Sequence, residues 1–252
     1  MDLDLKARQR AASLNRQYQG VDSEEFLRAL IEDEFPGKVA IVSSFGTESA
    51  LLLALAARVN RDVPIIFLDT GHHFPETLAY RDVVQRRLGL TNLRTIKAAA
   101  SALADRDPDA ALWQFDTDAC CSLRKVEPLQ DAIHEFDALI SGRKHSHGAL
   151  RSFMPRIEAV DGLIKLDPIA DWSPERVEEA YEALDLPRHP LISRGYRSVG
   201  CRPCTAPASD ALDPRAGRWV GQNKTECGIH RAGRVEQGRS DPIERPALHA
   251  AS

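Results

Sequence analysis

Val39-Ala40-Ile41-Val42-Ser43-Ser44-Phe45-Gly46-Thr47-Glu48-Ser49 starts as a short apolar run rich in β-branched residues and opens into hydroxyl residues around a glycine. Four apolar residues after the Pro36-Gly37 break read as a buried strand. An apolar helix follows from about Ala50 to Arg58. The alternation then repeats, with a strand from Val63 to Leu68 ending at Asp69-Thr70-Gly71 and a helix from about Glu76 to Leu88. Further strands are expected near 93–97, 138–141 and 163–166, with helices at about 119–135 and after Ser173-Pro174, a serine cap followed by proline at the first helical position. Strands alternating with helices predict an α/β fold, a mostly parallel sheet flanked by helices. Ligands of such sheets sit beyond the carboxyl ends of the strands, and three of those ends carry the polar segments 43–49, 69–71 and 141–144.

Outside this unit, residues 1–35 read as amphipathic helix, and from about Gly195 the composition shifts. Residues 205–252 are rich in Pro, Gly, Ala, Arg and Asp, which predicts a loop-like, mobile tail without its own core. The length of 252 residues suits one α/β domain with an appended segment, and 43% hydrophobic residues exclude a wholly disordered chain. A net charge of −4 argues against general nucleic-acid binding. No window approaches the roughly 20 apolar residues that cross a bilayer. The start, MDLDLKARQR, lacks the pattern of a secretory signal, so a soluble, cytoplasmic protein is expected. The sequence leaves the oligomeric state open, a homo-oligomer included.

Five segments could carry chemistry. The turn 43–49 can offer backbone N–H groups and hydroxyls to an anion at a helix start, although an ordinary capped turn looks the same. It matches neither G-x-x-x-x-G-K-S/T nor G-x-G-x-x-G. Asp69 to Glu76 holds His72 and His73, but neighbouring side chains diverge, which favours a ligand-lining strand end over a metal site. Ser141-Gly142-Arg143-Lys144, with Arg151 beyond, can hold phosphate or sulfate, or be a solvated basic loop; His145 and His147 read as loop residues. Cys120-Cys121 and, about 80 residues later, Cys201-Arg202-Pro203-Cys204 supply four thiols that suit zinc or an iron–sulfur cluster, and Lys125 would lie one helical turn after Cys121. The fifth cysteine, Cys227, stands in Lys224-Thr225-Glu226-Cys227-Gly228-Ile229-His230-Arg231, where cationic neighbours favour thiolate. Residues 215–239 hold six Arg or Lys against two Glu, which suits an anionic substrate.

Together these segments resemble the assimilatory sulfonucleotide reductases, in the adenylylsulfate (APS) reductase branch with an iron–sulfur cluster. The matching pieces are 43–49, Leu68-Asp69-Thr70-Gly71 with Phe74-Pro75-Glu76-Thr77, Cys120-Cys121 with Arg124-Lys125, and 141–144. They continue through 195–205, Arg215-Ala216-Gly217-Arg218-Trp219 and 224–230. The likeness runs from about 38 to 231 in order; the stretch 145–150 departs from the common pattern, which loosens the match at Arg151.

The resemblance implies an adenine-nucleotide α-hydrolase-like fold and a 4Fe-4S cluster on Cys120, Cys121, Cys201 and Cys204, with Lys125 beside it. It also implies a nucleophile at Cys227 and substrate contacts from Ser43, Ser44, Phe45, Gly46, Glu48, Ser49, Leu68, Asp69, Thr70, Gly71, Arg143, Lys144, Arg151, Arg215 and Arg218. The implied division is a nucleotide-binding domain over 1–204 and a mobile tail over 205–252. The implied reaction reduces adenosine 5'-phosphosulfate to sulfite and AMP through an S-sulfocysteine, with thioredoxin as donor, in sulfate assimilation and cysteine biosynthesis. Rival readings are reduction of the 3'-phosphorylated substrate (PAPS), an ATP-using adenylyl or sulfur transferase of the same fold, and a non-enzymatic zinc or redox-sensing module. The transferase usually carries S-G-G-x-D-S where this chain has Ser44-Phe45-Gly46-Thr47-Glu48-Ser49.

Overall fold

The expected strand Val39–Val42 (β1) lies inside a six-stranded sheet of order β3-β2-β1-β4-β6-β5 in the computed structural model, which describes residues 3–148, 151–208, 213–222 and 224–230. Its neighbours are Ile65–Leu68 (β2), Leu93–Ile96 (β3), Ala138–Ile140 (β4), Ile157–Val160 (β5) and Leu163–Leu166 (β6). Every pairing is parallel except β5 with β6. β2, β4 and β6 are buried throughout and are therefore continuous apolar runs, with Lys165 the exception. The edge strand β3 tolerates Arg94 and Thr95 because it is only partly covered.

Side chains alternate across the sheet. Ile41, Ile65 and Phe67 join a large core with Leu14, Phe26, Leu51 and Tyr181 on one face, while Ala40, Ile66 and Leu139 pack under Leu129, Ile133 and Phe136 on the other. The antiparallel β5 was absent from the sequence reading. Its two-residue turn, Asp161-Gly162, has φ of +46° and +76°, the left-handed pair that an Asp-Gly hairpin supplies.

The single helix expected over 1–35 is two helices, Leu3–Gln17 and Ser23–Arg28, the second running into a π-helical turn at Ala29–Glu34. Gly20 in the left-handed region breaks the run, and the Asp22 side chain restarts it by accepting from Glu24 N at 2.8 Å. The helix Leu3–Gln17 covers the sheet edge, with Asn15 Nδ2 donating to Ile157 O at 2.8 Å. The helix expected at 119–135 is Thr117–Cys121, a π-helical Ser122–Val126 and Glu127–Ala132 in succession. Ser173 caps Pro174–Ala183 as expected, accepting from Arg176 N at 3.2 Å.

The chain builds β1, β2 and β3 outward on one side, then places β4 on the other side of β1. The loops after β1 and β4 therefore part and leave a crevice at the sheet's carboxyl edge. The tail's described part is loop-like and packs onto the preceding unit through Trp219, 3% exposed and set against Cys201 and Cys204. The mobility expected of the tail concerns, for 209–212, 223 and 231–252, positions outside the described residues. No described helix is long and apolar enough to cross a membrane.

Candidate active site

The crevice is a cavity of about 940 Å³ between the turn after β1 and residues 141–144 after β4, against the first turn of the helix Ser49–Val59. A second space of about 620 Å³ continues from it past Ser43, Ser44, Arg151, Arg215 and Arg218 to Leu68, Lys125, Cys201 and Cys227. Of the expected contacts, Ser43, Ser44, Gly46, Glu48, Ser49, Leu68, Arg143, Lys144, Arg151, Arg215 and Arg218 line one or both.

Four do not. Phe45 takes φ of +48° and its side chain is driven into the core, edge-on to Phe67 at 5.6 Å, leaving the small residues on either side to face the cavity. Asp69 accepts from Gly71 N and pairs with Lys97 at 3.2 Å. Thr70 instead meets Cys201 Sγ at 3.3 Å, and Gly71 makes a left-handed turn beside Arg124.

Most of the cavity's cations already hold carboxylates. Arg143 Nη2 donates to Asp167 Oδ2 at 2.5 Å and to Glu158 Oε1 at 2.6 Å, the buried Lys144 meets Glu48 at 2.8 Å, and Arg151 forks onto Glu226. Lys125 and Arg218 have no carboxylate partner among the described residues. Arg218 lies over the Trp219 ring at 4.5 Å and across the backbone of Gly200, where an added Cβ would stand 2.6 Å from its Cζ.

Sequence reasoning missed Val199, His147, Ile229 and His230 as cavity walls. His147, expected to be a loop residue, meets Glu48 at 2.9 Å and Arg151 at 3.3 Å. Burial together with Arg143, Arg151, Lys165 and Arg215 pushes the His230 pKa well down, so the ring faces the cavity uncharged. Its position beside Cys227 was the available signal.

Cys120, Cys121, Cys201 and Cys204 are buried, unbridged, and line one recess of about 270 Å³ with Thr70 and Lys125. Burial, then the neighbouring Cys121 and Cys201, pushes the Cys120 thiol up to about 12; burial, then Cys201, also raises Cys204, and burial raises Cys121. For Cys201 burial is outweighed by Lys125 and the Thr70 hydroxyl, and its pKa falls. Four thiols within reach of one another's charge, mostly unwilling to ionise alone, are a donor set that multinuclear iron satisfies by supplying the missing positive charge.

Lys125 lines both this recess and the space holding Cys227. Burial works against its charge, but Cys201, Cys227 and Cys121 raise its pKa, and it stays protonated. Among the described residues, Lys125 and Cys201 are thus shared by the space that holds Cys227 and the thiol recess.

The phosphoadenosine phosphosulfate reductase domain pattern matches residues 38–207. The adenosine 5'-phosphosulfate reductase of Mesorhizobium japonicum is 43% identical over 92% of this chain and 91% of its own, and that of a Chelativorans species is 45% identical over 78% and 80%. The crystal structure of phosphoadenylyl-sulfate reductase from Candida auris superposes with a TM-score of 0.66 at 27% identity, covering 78% of this chain and 96% of that one. Yeast FAD synthetase, at 15% identity and a TM-score of 0.51 over 93% of this chain and 100% of its own, shares the fold alone. The fold is therefore the adenine-nucleotide α-hydrolase-like one, and the chain belongs to the phosphoadenosine phosphosulfate reductase domain family.

Proposed function

We propose that this chain reduces adenosine 5'-phosphosulfate to sulfite and AMP with thioredoxin as electron donor, in sulfate assimilation leading to cysteine. Residues 1–204 bind the nucleotide and the tail from 205 brings the nucleophile. The observation that carries this reading is that Cys227 shares one cavity with Arg151, Arg215, Arg218 and Lys125 beside the strand-end turn Ser43-Ser44. The relatives' names supply the substrate.

The Cys227 thiolate attacks the sulfur of the sulfate group. The bond from that sulfur to the phosphate oxygen breaks, its electron pair leaves with AMP, and Cys227 carries an S-sulfo group. Attack of an anion on an anion is slow unless charge is compensated; Lys125 and Arg218, unpaired with carboxylates, do this in the cavity. A thioredoxin thiolate then attacks Cys227 Sγ and sulfite departs with the electron pair. The donor's second thiol resolves the mixed disulfide, so two electrons pass from the dithiol to the substrate's sulfur. Cys120, Cys121, Cys201 and Cys204 would hold a 4Fe-4S cluster. When bound, it supplies the positive iron core that lets four buried thiolates coexist.

The test is mass spectrometry after mixing the protein with adenosine 5'-phosphosulfate and no reductant. An SO₃ adduct on the Cys227 peptide, lost on adding thioredoxin, is expected; an iron-replete protein without adduct would refute the reading. The Candida auris match favours a second substrate, the 3'-phosphorylated nucleotide. Adduct formation from PAPS at a higher kcat/KM than from APS would select it.

A further inference from the structure

Resting on that role for Cys227, the residue before it has a task of its own. Glu226 Oε1 accepts from Arg151 Nε at 2.7 Å and its Oε2 from Arg151 Nη2 at 2.8 Å, while Arg215 Nη2 lies 3.6 Å from Oε2. The third nitrogen of Arg151, Nη1, meets His147. Of two guanidinium groups facing the Cys227 cavity, Arg151 is thus satisfied by a carboxylate of the tail itself and Arg215, whose Nη2 donates to Thr225 O at 2.9 Å, stands within ion-pair range of it. Arg151 is 7% exposed, so stripping that carboxylate away would leave a buried cation uncompensated. Another anion can replace it: a sulfate or phosphate group offers the same two-oxygen edge to the fork.

The tail is also fastened on the other side of Cys227. Lys224 Nζ pairs with Asp118, and Gln222 Oε1 accepts from Thr117 Oγ1 at 2.8 Å, both on the segment Thr117–Cys121. Neither Asp118 nor Thr117 meets the cavity that holds Cys227, so a nucleotide there has no route to exchange with that fastening.

We propose that Glu226 is an internal competitor of the substrate: it fills the Arg151–Arg215 fork when the chain is free, and the substrate's anionic group displaces it on binding. Glu226 keeps the cationic fork compensated and the tail shut in the absence of nucleotide, and it lowers substrate affinity by the fraction of time it holds the fork.

A merely structural Glu226 would, when neutralised, loosen the tail and weaken binding or leave it alone. Competition predicts the opposite sign. In the full chain carrying Cys227→Ser, which cannot form the adduct, calorimetry with adenosine 5'-phosphosulfate should give about tenfold tighter binding for Glu226→Gln. In the chain with Cys227 intact and no nucleotide, the same substitution should speed alkylation of Cys227 by iodoacetamide several-fold, and saturating AMP should slow it again. Glu226→Asp, which keeps the charge one carbon short of the fork, should gain less and guards against a folding defect. Lys224→Met should speed alkylation without tightening binding. If the parent binds and Glu226→Gln binds equally or more weakly, the competition is overturned alone. If the parent binds no adenosine 5'-phosphosulfate, the functional reading falls and the competition with it.

Discussion

Asp107→Asn should cost about 3 kcal/mol of stability, and the route by which it does so passes through the thiol recess. Asp107 Oδ2 receives Arg124 Nη2 at 2.6 Å and Nε at 3.0 Å, while Oδ1 accepts from Leu112 N at 2.8 Å. Both side chains are buried, at 7% and 2% exposure. Breaking a buried pair from one side costs about 3–5 kcal/mol, and asparagine keeps a carbonyl for one donor, which sets the lower end. That loss is a large part of the roughly 5–15 kcal/mol a domain possesses. Arg124 Nη1 also donates to Thr70 O at 2.8 Å, and the Thr70 hydroxyl meets Cys201 Sγ at 3.3 Å. The pair therefore links the segment bearing Cys120 and Cys121 to the one bearing Cys201. Urea denaturation followed by far-UV circular dichroism, with iron content measured in parallel, should show a lower midpoint and faster iron loss. The pH dependence has a definite sign. Burial pushes the Asp107 carboxyl up, but the Arg124 hydrogen bonds and the Leu112 N–H outweigh it and hold the pKa below its ordinary value. The stabilisation is present above the unfolded carboxylate pKa of about 3.9 and is lost as pH falls through the lowered folded value. The gap between parent and variant should close at acid pH. A loss under about 1 kcal/mol at pH 7, or a gap that persists unchanged into acid, would refute the reasoning.

Gly200→Ala puts a methyl group 2.6 Å from Arg218 Cζ; formation of the Cys227 adduct should slow about a hundredfold by quenched-flow mass spectrometry while the denaturation midpoint stays put. An unslowed rate would remove Arg218 from charge compensation. Lys125→Met should slow the same step at least about tenfold with iron retained, and unchanged adduct formation would dismiss its role. Lys165, 6% exposed, has its pKa pushed down from 10.5 to about 8 by burial and then Arg143. The unfolded chain binds more protons between those values, so stability rises with pH across that window. Lys165→Met should add up to about 3 kcal/mol at pH 7 and flatten that rise; a variant no more stable than the parent would refute it.

The fold was legible where burial dictates composition. Val39–Val42, Ile65–Leu68 and Leu163–Leu166 are apolar because the sheet covers both faces, and a short run of that kind has few other readings. β5 escaped because Ile157-Glu158-Ala159-Val160 is a partly covered edge with no such run, although its Asp161-Gly162 turn is a strong local signal. The break at Gly20 was visible as a residue, but amphipathic periodicity on both sides concealed it. Within the site, the recess of four cysteines was legible from spacing and number. Phe45 was not, because its direction depends on a left-handed backbone held by packing against Phe67 and by its N–H donating to Ser43 Oγ at 3.2 Å.

Charge was the least legible quantity, and for a reason that bears on the chemistry. The sequence presents Arg143, Lys144, Arg151, Arg215 and Arg218 as one basic set awaiting an anion. The fold brings Asp167, Glu158, Glu48 and Glu226 to four of them from distant positions, because cations gathered in a half-buried crevice would otherwise repel one another. Counting cations along the chain therefore overstates the field inside the crevice. Among the described residues, Lys125 and Arg218 are lining cations without a carboxylate partner, and both face the space that holds Cys227. A site with bare cations throughout would bind any sulfate or phosphate from solution. One whose positive charge is bare at Lys125 and Arg218, and at the neighbouring Arg151 and Arg215 must be won from a resident carboxylate, favours a ligand with more than one anionic group over a small free anion. Inorganic sulfate should accordingly compete poorly with the nucleotide, while Glu226→Gln should make it a better competitor.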